Sequence, residues 1–121
     1  MLIVPKPRQV QELEIDGEKP FAKWFKKLKN VQAKAAILTR ITKISTVGSF
    51  GTYEYLTGGV FELKFDIGPG YRVYFGLDND VFVLIILGGD KSSQDRDIKK
   101  AKTLWQMYLE EGATHGTNPK K

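Results

Sequence analysis

From Tyr53 to Tyr74 the side chains able to do chemistry recur in pairs two residues apart: Tyr53 and Tyr55, Glu62 and Lys64, Arg72 and Tyr74. Extended chain turns alternate side chains to the same face, so the three pairs meet on one sheet face if the turns between them keep parity. Aromatic rings interleaved with cations suit stacking on bases and pairing with phosphates. A single-stranded nucleic acid is therefore the first ligand to consider. The same residues also read as cross-strand pairs, each stabilising the sheet by ~0.2–1 kcal/mol.

Three hairpins must position these residues. Phe61, Leu63, Phe65 and Ile67 alternate with Glu62, Lys64 and Asp66, and Gly68-Pro69-Gly70 ends the run. A loop of those three residues sets Ile67 opposite Tyr71, Asp66 opposite Arg72 and Lys64 opposite Tyr74. Asp78-Asn79-Asp80 marks the next turn; a two-residue loop there puts Phe82, Leu84 and Ile86 on the face of Val73 and Phe75. Val81 to Leu87 is apolar throughout, as in a strand covered on both faces. Upstream, a two-residue Gly58-Gly59 hairpin pairs Leu56 with Phe61, Tyr55 with Glu62 and Tyr53 with Lys64.

Helices must cover that sheet. Arg8 to Ile15 reads as an edge strand, and Pro20 suits a first helical turn. Phe21, Trp24, Phe25 and Leu28 form one apolar stripe, with Lys23, Lys26, Lys27 and Lys29 elsewhere. Asn30 can stop this helix and cap the next, which runs from Ala33 to Ile44 with Ile37, Leu38, Ile41 and Ile44 inward and Arg40 and Lys43 outside. Ser92-x-x-Asp95 resembles a capping box before a closing helix whose stripe is Ile98, Ala101, Trp105 and Tyr108; this helix is the cover for Val83, Ile85 and Leu87. The expected class is α+β: an antiparallel sheet of three to five strands, an N-terminal helical hairpin on one face and a C-terminal helix. Residues 1–109 form one domain, and the aperiodic residues 110–121 are expected to be a flexible tail.

At 121 residues the chain holds one core. Its net charge of +5 is unevenly placed. Lys19, Lys23, Lys26, Lys27, Lys29, Lys34, Arg40 and Lys43 lie in a stretch without a carboxylate, after the acidic Glu12, Glu14, Asp16 and Glu18. Such a one-signed stretch is either a solvated face or the footprint of an anionic partner. Cysteine is absent and the one histidine is His115, which removes disulfides, thiolate metal sites and a core histidine base; no metal and no cofactor is expected. No run approaches the ~20 apolar residues of a membrane span, and MLIVPKPRQVQ lacks the pattern of a signal peptide, so a cytoplasmic address fits.

The segments FAKWFKKLKN, AKAAILTRI, GVFELKFDIGPGYRVYF and LGGDKSSQDRDIKKAK resemble the phage-derived addiction-module killer proteins, a HigB-like branch of the RelE/ParE toxin superfamily. The resemblance runs from about Pro20 to Tyr108. It implies a RelE-like fold and the toxin of a type II toxin–antitoxin system, encoded with a helix-turn-helix antitoxin of the HigA type. It implies further that the toxin cuts messenger RNA on the ribosome. ParE-like relatives poison DNA gyrase instead, and an inactive RNA- or antitoxin-binding phage remnant would share the fold. The arginine of the family's G-Y-R-V pattern is Arg72. The basic position of its E-L-R strand is held here by Lys64, which keeps the charge and loses the bidentate fork. The basic residue after the last strand is Lys91. Relatives often carry a tyrosine or histidine in the closing helix; here Tyr108 stands there and reads as packed.

The implied chemistry is metal-independent. A ribose 2′-OH loses a proton and attacks the adjacent phosphate, cations hold the developing charge, and the leaving oxygen takes up a proton. Arg72 suits the phosphate clamp. The base is either Glu62 or a lysine destabilised as the ammonium by neighbouring cations, for which Lys64 and Lys91 are candidates. Tyr55 and Tyr74 suit base stacking, and Lys23, Lys26, Lys27, Arg40 and Lys43 suit phosphate contacts to ribosomal RNA.

Overall fold

The computed structural model describes residues 2–115, with side chains through residue 111. In chain order come strand β1 (Gln9–Glu12), helices α1 (Pro20–Lys27) and α2 (Val31–Val47), strands β2 (Tyr53–Tyr55), β3 (Val60–Phe65), β4 (Tyr71–Asp78) and β5 (Phe82–Asp90), a single 3-10 turn (Lys91–Ser93) and helix α3 (Gln94–His115). The expected α+β class is observed. The sheet has five strands in the order β1-β5-β4-β3-β2. It is mixed and not antiparallel throughout: β1, at the edge as expected, runs parallel to β5. That pairing joins segments 70 residues apart, between which no local pattern sets a direction.

The helical hairpin covers one face. Phe21, Ala33, Ile37 and Ile44 pack there against Phe61, Leu63, Phe65, Val73, Phe75, Val83 and Ile85. Pro20 opens α1 as expected, and the Asn30 side chain caps α2 by accepting from the Ala33 amide at 2.9 Å. Leu38 is a correction: it is 52% exposed, because α2 turns its buried stripe through Ala33, Ile37 and Ile44. Helix α3 covers the opposite face, where Ala101 and Trp105 meet Val60, Tyr74, Leu84, Ile86 and Leu87. It runs on to His115, through residues expected to be tail; 116–121 lie outside the described residues. The cap before it also differs. Asp90, not Ser92, is the cap: its side chain accepts from the Ser92 amide, and Ser93 Oγ accepts from the Asp90 amide in return.

All three hairpin registers differ from expectation, each through its turn. Lys64 pairs with Arg72 and Glu62 with Tyr74, so the β3–β4 loop is longer by two residues. An even shift changes partners and keeps faces. In the β2–β3 turn Thr57 joins Gly58 and Gly59 at positive φ, and Tyr55 pairs with Phe61. That odd shift turns Tyr53 and Tyr55 onto the α1/α2 face and brings Glu54 to the other. Between β4 and β5, Asn79 and Asp80 both adopt positive φ and Asp78 pairs with Phe82. Val83 and Ile85 therefore belong to the α1/α2 face. A bulge between Tyr74 and Phe75 then leaves Ile86 and Leu87 together under α3.

Candidate functional site

The site lies on the α3 face, where two adjacent rungs of the sheet carry charge. One rung reads Lys64, Arg72, Gly89 across β3, β4 and β5; the next reads Glu54, Glu62, Tyr74, Leu87 across β2 to β5. Two cations directly opposite each other destabilise a sheet, and here the carboxylates of the neighbouring rung offset them diagonally. Lys64 Nζ lies 2.7 Å from Glu54 Oε1. Arg72 Nε lies 3.9 Å from Glu62 Oε1, too far for a hydrogen bond, while Nη1 donates to the Tyr71 carbonyl at 3.1 Å.

Glycine makes room at the third position of the cationic rung. A Cβ on Gly89 would collide with the Asp97 carboxylate of α3, so only glycine lets Asp97 settle beside Arg72's strand. Ser93 Oγ donates to Asp97 Oδ2 at 2.5 Å. One turn of helix away on the same side, Gln94 Nε2 donates to Glu62 Oε2 at 2.8 Å. The Lys91 amide donates to the Gly70 carbonyl at 2.8 Å. The space beside Gly70 is bounded by Arg72 Nη1 and Lys91 Cβ, which brings Lys91 to the rim of the Arg72 site.

Burial and charge set the protonation pattern. The Tyr74 phenol is pushed well above its ordinary value, first by burial and then by the Glu62 and Asp97 carboxylates. Its hydroxyl and Arg72 Nε are buried without a hydrogen-bond partner among the described residues. Buried orphan donors are uncommon and cost ~1–3 kcal/mol each. Glu54 is held below the usual carboxylate range, foremost by its hydrogen bond with Lys64. Among the described residues no group of three or more histidines or carboxylates is placed to hold a metal ion. No helix of the described residues is long and apolar enough to cross a membrane.

No family model matches the chain. An uncharacterized protein of Haemophilus influenzae is 47% identical to it over 94 residues, which cover 78% of this chain and 94% of that protein. The chain belongs to that protein's family.

In this member of the family the expected site residues fall into three groups. Arg72, Lys64, Lys91 and Glu62 come together, and only Lys91 is fully exposed. Glu62 is 1% exposed, covered by Gln94, and is placed to hold Arg72 from behind rather than to touch a bound strand. Tyr74 is fully buried and Tyr55 packs tilted against Phe61 at 4.9 Å on the opposite face, so neither ring is available to a base on the site's face. Arg40 is committed internally: it donates to the carbonyls of Phe50 at 3.1 Å and Lys64 at 3.2 Å and lies 4.3 Å over the Phe65 ring. It ties the α2–β2 loop to β3. Lys23, Lys26, Lys27 and Lys43 are exposed on the helices, away from the charged rungs. Sequence reasoning missed Glu54, Gln94 and Asp97. The signal for the last two was their spacing: three and six residues after Lys91 they lie on the first turns of a helix starting beside Arg72.

Proposed function

We propose that this protein is a RelE-like toxin of a type II toxin–antitoxin system, acting in the cytoplasm as a ribosome-dependent messenger RNA endoribonuclease. Its antitoxin partner would be a helix-turn-helix protein of the HigA type. The observation that carries this reading is the Lys64–Arg72 rung with Lys91 at its rim, three cations brought together at one end of the sheet. An arrangement unfavourable in the free protein becomes favourable once a phosphate lies over it.

In this reading Arg72 clamps the scissile phosphate, with Nη1 bonded to the Tyr71 carbonyl and the Glu62 carboxylate as a more distant counter-charge. Lys64 adds a second charge. The ribose 2′-oxygen gives up its proton to the exposed Glu54 carboxylate and forms a bond to phosphorus. The bond to the 5′-oxygen breaks, and that oxygen takes a proton from the Lys91 ammonium. The products are a 2′,3′-cyclic phosphate and a 5′-hydroxyl. A carboxylate held low by Lys64 is a weak base, so these groups alone make a slow nuclease. Orientation of the strand by the ribosome can contribute ~7–11 kcal/mol toward the barrier, and that is why the reaction needs the ribosome. The buried position of Glu62 favours one rival, a gyrase-poisoning toxin that performs no chemistry.

The test is one labelled transcript incubated with the purified protein, with and without translating ribosomes. Cleavage only on ribosomes is the expected result. Equal cleavage of naked RNA removes the ribosome from the mechanism, and no cleavage in either arm together with inhibited gyrase favours the rival.

A further inference from the structure

Strand β1 pairs with β5 only as far as Ile85, so Leu87 to Gly89 form an outer edge of the sheet that no strand covers. Helix α1 flanks this edge on one side and α3 on the other, leaving an open cleft of about 620 Å³. Its floor is Gly88, against which the Trp24 ring packs so closely that a Cβ there would collide with it. Lys23 and Lys27 line the cleft from α1, Arg96 and Lys100 from α3. Each pair is spaced by one helical turn, about 5–6 Å between Cβ atoms, a distance comparable to that between successive backbone phosphates. Asp16 and Glu18 also line the cleft, yet among the described residues no ion pair takes up Lys23, Lys27 or Lys100. Among the described residues Arg96 makes one ion pair, with Asp97 at 3.9 Å, and its charge also acts on Asp90.

Asp97 joins the cleft to the site. It lines the cleft and also fills the space over Gly89, the residue paired with Arg72. The cleft therefore adjoins the Lys64–Arg72 rung, with the Asp97 carboxylate between them. We infer that the cleft between α1 and α3 is the track for the nucleotides flanking the scissile phosphate, binding a single RNA strand through Lys23, Lys27, Arg96 and Lys100 with Trp24 as a surface for a base. The track rests on the nuclease reading for its direction and not for its binding. Contacts of this kind go to phosphates and carry no sequence preference, and stacking on an aromatic ring tolerates any base. Lys23 and Lys27 then serve the message strand, while Lys26 and Lys43 remain for the ribosome.

The probe is a short 2′-O-methyl oligoribonucleotide, which lacks the attacking hydroxyl. Binding is read from the fluorescence of Trp24; the other tryptophan, Trp105, is 3% exposed and Trp24→Phe identifies its share. The wild type is expected to bind with quenching and a steep salt dependence. Arg96→Ala with Lys100→Ala, at exposed positions, is expected to weaken binding about tenfold or more and to flatten the log–log salt slope by roughly 1.4, two phosphate contacts at ~0.7 each. Unchanged affinity and slope in this variant, or no binding by wild type, overturns the track. Displacement by a polyglutamate peptide as effective as by the oligonucleotide overturns it too, in favour of an acidic protein partner. If wild type binds the probe with the expected slope but cuts no message on ribosomes, the nuclease reading fails and the track stands; if it cuts and the double variant binds undiminished, the track alone fails.

Discussion

Tyr74 and Phe75 are neighbours in β4, both fully buried, and they point into opposite halves of the molecule. Phe75 stacks between Phe61 at 5.1 Å and Phe50 at 5.2 Å, in a layer that α1 and α2 close with apolar side chains. Tyr74 sits under α3 beside Glu62, Arg72 and Asp97, with its hydroxyl unpaired. One face of the sheet follows the rules for a core. The other keeps buried charge and an orphan donor, which costs stability. A feature that works against folding and is nevertheless assembled from three secondary-structure elements is where function is to be sought.

The largest expected difference between the two faces is in stability. Phe75→Ala removes the middle ring of a stack and leaves a cavity, so it should destabilise by ~3–5 kcal/mol in urea unfolding. A loss under ~1 kcal/mol would mean the apolar face is not the one that holds the fold. Tyr74→Phe, one residue away, removes a hydroxyl that has no partner, and should change stability by less than ~1 kcal/mol or raise it. A second readout of the same variant is pH. Burial and nearby carboxylates raise the Tyr74 phenol, and burial and Asp78 raise that of Tyr108. A folded state with raised values keeps protons that the unfolded chain gives up. The stability these tyrosines contribute is fully present below the ordinary value of about 10 and is lost as pH rises toward the raised values. Tyr74→Phe should therefore lose less stability than wild type above pH ~10; identical alkaline curves would show that Tyr74 is not held neutral by this face.

What could be read from the sequence divides along the same line. The helices, the five strand positions and the polar identity of Glu62, Lys64, Arg72 and Tyr74 follow from periods of 3.6 and 2. The neighbours of those residues do not, because they depend on turn parity. Thr57 at positive φ is a conformation that a threonine rarely adopts and that no local pattern announces, yet it decides that Glu54, and not Tyr53, meets Lys64. Val83 to Leu87 is apolar at every position, so it carries no marker of which side is which, and the bulge opposite Tyr74 and Phe75 changes its phase again. Arg40 was legible as a cation and not as a clamp on the Phe50 and Lys64 carbonyls, since those come from two segments its own sequence does not point to.

Arg72 gives the most direct measurement. It sits on the costly face, 9% exposed, with Nε lacking a hydrogen-bond partner among the described residues, and carries the phosphate in the proposed reaction. Arg72→Ala should be purified and followed in two assays at once, unfolding in urea and cleavage of a transcript on translating ribosomes. The expected result is a folded protein, with the cooperative transition of wild type, that no longer cuts the message or arrests growth on expression. A folded Arg72→Ala protein that still cuts, or a variant that cannot fold, would contradict the assignment of this side chain to function.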